Sequence, residues 1–152
     1  RGDIAMDDLG CFGFSGGGYM TLYLAALDPR VRKAFVSGYL YGVGDSLLHL
    51  NGNCSCNYTP GLWRLLDMGD IASLIAPRPL LVQSCEEDHL NGSRGLKNVD
   101  EQLRIVRDAY KLLGRRDALR HEVCPGGHHL GVTHLVEDIE WLDSHVAKCD
   151  RA

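Results

Sequence analysis

Residues 9–27 read LGCFGFSGGGYMTLYLAAL: an apolar run, a serine set among glycines, then a second apolar run without a charge. Within it, Gly13-Phe14-Ser15-Gly16-Gly17 fits the pattern G-x-S-x-G, in which a serine sits on a sharp turn between a strand and a helix. The flanks have the required character. Leu9 to Phe14 predicts a short buried strand with acidic Asp7 and Asp8 on its far side. Residues 19–27 predict a helix buried on most faces and closed by Asp28-Pro29, since proline cannot continue a helix. A side chain at the tip of so tight a turn needs a backbone conformation that most residues resist. It also needs small neighbours two positions away on either side, here Gly13 and Gly17. The turn aims the first helical amides above Ser15, where the Gly16 N–H is the candidate oxyanion donor and the helix dipole favours negative charge. Taken alone, the pentapeptide also fits a glycine-rich turn holding a phosphate.

The chain of 152 residues, 45% of them hydrophobic, is long enough for one domain with a core and too short for two, so residues 1–152 are read as a single, partial or minimal, domain. A net charge of −4 leaves no broad basic surface, which argues against nucleic acid and anionic membrane as partners. No apolar stretch approaches the roughly 20 residues of a membrane span. No signal peptide is recognisable, and the chain is read as cytoplasmic; because it opens with Arg1, an upstream segment is left open. Of the six cysteines, Cys11 lies in a predicted strand and Cys85 at the end of another, where a free thiol behaves as a small apolar residue. Cys54-Ser55-Cys56 lacks the gap usual for a zinc pair, and no second pair stands at finger spacing, so neither a structural metal nor a cofactor is expected.

Val31 to Gly38 has the β-branched and aromatic content of a second strand, and it runs into a loop over 39–60 whose length marks it as functional, part of a pocket wall. Short helical turns are predicted over 61–66 and 70–75, stopped by Pro77 and Pro79. Arg78 to Ser84 is a near-continuous apolar strand. From Val99, apolar residues recur at Leu103, Val106, Tyr110 and Leu113, the period of an amphipathic helix ending at Gly114. Leu119 to Cys124 alternates like a strand, Pro125-Gly126-Gly127 turns, and Leu135, Ile139, Leu142 and Val146 mark a last helix. The alternation predicts an α/β fold, a mostly parallel sheet with right-handed crossovers and helices on both faces. Sites in such sheets form at the carboxyl ends of strands, and the loops there carry Ser15, Glu86-Glu87-Asp88 and His128-His129.

A serine hydroxyl is a poor nucleophile unless a base takes its proton, and the base needs a carboxylate to hold its tautomer. The order Ser15, Asp88, His128 is the Ser…Asp/Glu…His order of α/β-hydrolases. GFSGGG from Gly13, IAPRPLLVQSCEEDH from Ile75 and PGGHH from Pro125 together carry a resemblance to the C-terminal half of that superfamily. The chain looks most like the branch of dienelactone hydrolases and acetyl xylan esterases. The resemblance implies Ser15 as nucleophile, Asp88 as acid, His128 as base and a Gly16 oxyanion donor. It implies a serine esterase acting on short-chain, acetyl-like esters of small molecules. Glu86 and Glu87 stay open as the acid and His129 as the base. A metal site drawn from Cys124, His128, His129 and His134 lacks a carboxylate at helical spacing.

One departure stands out. Such enzymes have several strands and helices ahead of the elbow strand, and a loop there provides a second oxyanion amide. Here eight residues precede it. The expectation is a truncated fold with the elbow strand at a sheet edge, hence a homo-oligomer. A catalytically silent binding or assembly module is the alternative.

Overall fold

The computed structural model describes residues 5–49 and 57–149. Strand and helix alternate as β1 (Leu9–Phe14), α1 (Gly16–Leu27), β2 (Val31–Ser37), α2 (Met68–Ser73), β3 (Leu80–Cys85), α3 (Leu96–Leu112), β4 (Leu119–Cys124) and α4 (Leu135–Cys149). The four strands form one parallel sheet in the order β1-β2-β3-β4, which puts β1 at one edge and β4 at the other.

Stepping always in one direction by right-handed crossovers places every connecting helix on the same face. Ala34, Val36, Leu80 and Val82 of the strands accordingly share one core with Leu22 and Ala25 of α1, Ile71 and Ala72 of α2, and Val99, Leu103 and Val106 of α3. The alternate strand residues Phe35 and Leu81 point to the opposite face, where α4 returns to bury Leu142 against them. Helices thus cover both faces.

The helix starts depart from the periodicity because caps set them. Asp67 caps α2, its own N–H donating to the Asp70 carboxylate at 2.7 Å, so this helix opens at Met68 rather than Asp70. Gly95, at φ 55°, turns the chain into α3 at Leu96, three residues before the apolar stripe begins. α1 begins at Gly16, directly after the serine, and it is not buried on most faces. Gly18, Thr21, Leu22 and Ala25 face the sheet, while Met20, Leu24 and Leu27 are 64, 47 and 73% exposed. The helix lies over β1 and β2 at the end of the sheet, and among the described residues no element packs on its outer side. Cys54-Ser55-Cys56 and the adjoining part of the 39–60 loop lie outside the described residues.

Candidate active site

Ser15 has φ 55° and is, among the described residues, the one non-glycine at positive φ. Its N–H donates to the Ser37 carbonyl at the end of β2, 2.9 Å away, which ties the tip of the turn to the neighbouring strand. Such a conformation costs about 1–3 kcal/mol and persists only where the surroundings enforce it. The surroundings do so through glycines. A Cβ on Gly13 would stand 2.1 Å from the Gly17 carbonyl oxygen, and one on Gly18 would stand 2.7 Å from the Ser37 carbonyl oxygen. A Cβ on Gly17 would meet nothing within 4 Å. The sequence expectation is corrected here: Gly13 presses on the backbone of Gly17, and the second position without room is Gly18, which faces the end of β2. Gly16 opens α1, so its N–H belongs to the first turn, whose amides have no intrahelical partner.

At the end of β3 the three acidic residues separate. Glu86 and Glu87 are exposed, and Asp88 is buried. The Asp88 carboxylate accepts the Leu90 N–H at 2.9 Å through Oδ1 and meets His128 Nδ1 at 2.6 Å through Oδ2. On the other side of the ring, His128 Nε2 lies 2.8 Å from Ser15 Oγ. With Nδ1–H donating to the carboxylate, Nε2 is the acceptor for the serine hydroxyl. The imidazole rests against Phe14, with ring centroids 4.7 Å apart. Beneath it is Gly38, at φ 63°, where a Cβ would come within 3.1 Å of His128 Cε1. The two loops are laced to each other: Glu86 N–H donates to the Cys124 carbonyl and Glu87 N–H to the Gly126 carbonyl, both at 2.9 Å. Ser15, Asp88 and His128 are therefore brought together, and Glu86, Glu87 and His129 are not. His129 instead meets the Gly127 carbonyl through Nδ1 at 2.8 Å.

No protein-family model matches the chain. A curated relative from Bacillus subtilis (strain 168), named "Putative hydrolase YtaP", is 31% identical over 130 residues, 84% of this chain and 42% of its own length. A glucuronoyl esterase from Solibacter usitatus superposes with a TM-score of 0.72 at 16% identity, over 95% of this chain and 44% of that one. The chain carries part of an α/β-hydrolase fold. A "putative acetyl xylan esterase" from Bacteroides fragilis NCTC 9343 also superposes on this α/β-hydrolase part, with a TM-score of 0.64 at 20% identity, over 82% of this chain and 31% of that one. The chain spans less than half the length of each of these relatives.

Among the described residues, no group of three or more His, Cys, Asp or Glu side chains could hold a metal ion. Burial pushes the Cys85 and Cys124 thiols up from their ordinary value, which leaves them poor nucleophiles. No helix among the described residues is long and apolar enough to cross a membrane. Sequence reasoning passed over Ser37, Gly38 and Gln83. The signal for Gln83 was there to read: an amide in the middle of the apolar strand LLVQSC has to be hydrogen-bonded if that strand is buried.

Proposed function

We propose that this chain carries the catalytic machinery of a serine esterase that hydrolyses short-chain, acetyl-like carboxylic esters through an acyl-enzyme. The observation that carries the reading is the relay of Ser15 Oγ to His128 Nε2 at 2.8 Å and His128 Nδ1 to Asp88 Oδ2 at 2.6 Å. In this reading His128 takes the hydroxyl proton as Ser15 Oγ attacks the ester carbonyl carbon. The oxyanion lies against the Gly16 N–H, and His128 returns the proton to the departing alcohol. A water molecule then attacks the acyl-serine with the same histidine as base, releasing the acid and restoring Ser15. Asp88 holds the imidazole in the tautomer that accepts at Nε2 and stabilises its charged form. The esterase names among the structural relatives support the reaction class, and the glycine-framed backbone of Ser15 supports its role as nucleophile.

A fluorophosphonate probe tests this directly: it is expected to label the wild-type chain and leave Ser15→Ala unlabelled. Hydrolysis of p-nitrophenyl acetate faster than of longer acyl esters is expected alongside. Equal labelling of both proteins would remove Ser15 from the mechanism. The alternative, a silent binding or assembly module, has the open edge of β1 in its favour. It expects no labelling of either protein.

A further inference from the structure

Nucleophile and base come from opposite edges of the sheet. Ser15 follows β1 and His128 follows β4, so three strand-to-strand steps of about 4.8 Å separate their origins. The 125–134 loop must cross back over β3 and β2 to bring the imidazole to the serine. Midway along that path stands Gln83 of β3, 2% exposed, with every polar atom of its side chain engaged. Its Oε1 accepts the Ser37 hydroxyl at 2.9 Å and the Gly131 N–H at 3.0 Å, and its Nε2–H donates to the Gly131 carbonyl at 3.0 Å. Its backbone carbonyl accepts the Gly38 N–H at 2.8 Å.

Each of these partners belongs to one side of the relay. Ser37 is the residue whose carbonyl holds the Ser15 N–H, Gly38 underlies the imidazole, and Gly131 is three residues beyond His128. The contact with Gly131 is close, since a Cβ there would stand 2.3 Å from Cys124 Sγ and 3.1 Å from Gln83 Nε2. One amide therefore fastens the support of the nucleophile and the loop of the base to a common point. We infer that Gln83 is the positioning residue that sets the separation between Ser15 and His128. The inference rests on the esterase reading above. Gln83 touches neither of the two reacting groups; it acts through Ser37, Gly38 and Gly131.

Two variants separate this from a merely structural role. Gln83→Leu removes both the accepting and the donating atoms, and kcat is expected to fall 10- to 100-fold with KM changed less than twofold. Gln83→Glu retains the two accepting contacts, and its carboxyl can donate to the Gly131 carbonyl only while protonated. Burial, Glu122 in register on β4, and Asp138 of α4 all favour the protonated form; Arg120 opposes it. Gln83→Glu is therefore expected to match wild type at acidic pH and to lose activity as the introduced carboxyl ionises, adding a descending limb that the wild-type profile lacks. A wild-type profile for Gln83→Glu at every pH would overturn the assignment, and so would an unchanged kcat in folded Gln83→Leu. Should Gln83→Leu not fold, the profile of Gln83→Glu decides alone. If wild type itself neither hydrolyses the ester nor takes the fluorophosphonate, the esterase reading has failed, and the result is distinct from either outcome for Gln83.

Discussion

The glycines on either side of Ser15 look equivalent in sequence and are not so in space. Gly17→Ala adds a methyl that meets nothing within 4 Å and improves helix propensity, so it is expected to be neutral or to stabilise by up to about 1 kcal/mol. Gly13→Ala drives a methyl into the Gly17 backbone at 2.1 Å. A loss above about 3 kcal/mol is expected, with labelling of Ser15 abolished. Thermal melts of the two variants measure the contrast, and equal melting temperatures would refute it. The histidine pair divides in the same way. His128→Ala and Asp88→Asn are each expected to lower kcat by about 10⁴, while His129→Ala is mild, as steady-state kinetics will show. An inactive His129→Ala would move the base by one residue.

Between elements, α4, which packs on β2 and β3, carries a charge with an unusual environment. Asp138 is fully buried, and Arg120 Nη2 stands 3.4 Å from its carboxylate. Burial, reinforced by neighbouring Glu122, pushes its pKa up to about 6. A carboxyl whose folded pKa exceeds its unfolded value binds more protons in the native state. It therefore contributes stability that is complete below about pH 4 and is lost as pH rises toward 6. The melting temperature of wild type relative to Asp138→Asn is expected to fall across that window, and a constant difference would show that Asp138 does not carry it.

The elements themselves were mostly legible in the sequence. LGCFGF and LRHEVC have the bounds of β1 and β4 because turn residues flank them closely. The starts of α2 and α3 were less legible, because a capping box at Asp67 and a left-handed glycine at Gly95 set them, not the apolar period. The order of Ser15, Asp88 and His128 pointed to their meeting and the resemblance favoured Asp88, whereas the burial that sets Asp88 apart from its two acidic neighbours at the end of β3 was not legible. Gln83 was legible as a buried amide but not as a staple, since its partners are set by strand register and by the path of a loop.

At the scale of the molecule, the β1 edge of the sheet stands open among the described residues. Among the described residues β1 pairs with β2 alone; Phe12 on that strand, 51% exposed, stacks on Phe35 on the α4 face, while the exposed Met20, Leu24 and Leu27 stripe of α1 lies on the opposite face. Between β1 and α4 runs a groove of about 240 Å³ lined by Phe12, Phe35, Leu135, Ile139 and Leu142. Unpaired strand donors and acceptors next to apolar surface favour pairing with another copy, because the same surface exists on each. The chain by itself is expected to be a homodimer or larger by light scattering, and Phe12→Lys to weaken the association. A monodisperse monomer at micromolar concentration that keeps full activity on dilution would show that the edge is tolerated.

The direction in which the strands are laid down has a kinetic consequence. Each βα unit docks beside the one made just before it, so the sheet can grow from β1 outward using contacts between neighbours in sequence. The relay does not share that locality: Ser15 and His128 are 113 residues apart and meet only once the last strand is seated. On the esterase reading proposed above, reactivity of Ser15 is therefore a clock for the final event of refolding. In a stopped-flow experiment on Trp141→Phe, which leaves Trp63 ahead of β3 as the fluorophore, fluorophosphonate capture should lag the fluorescence change.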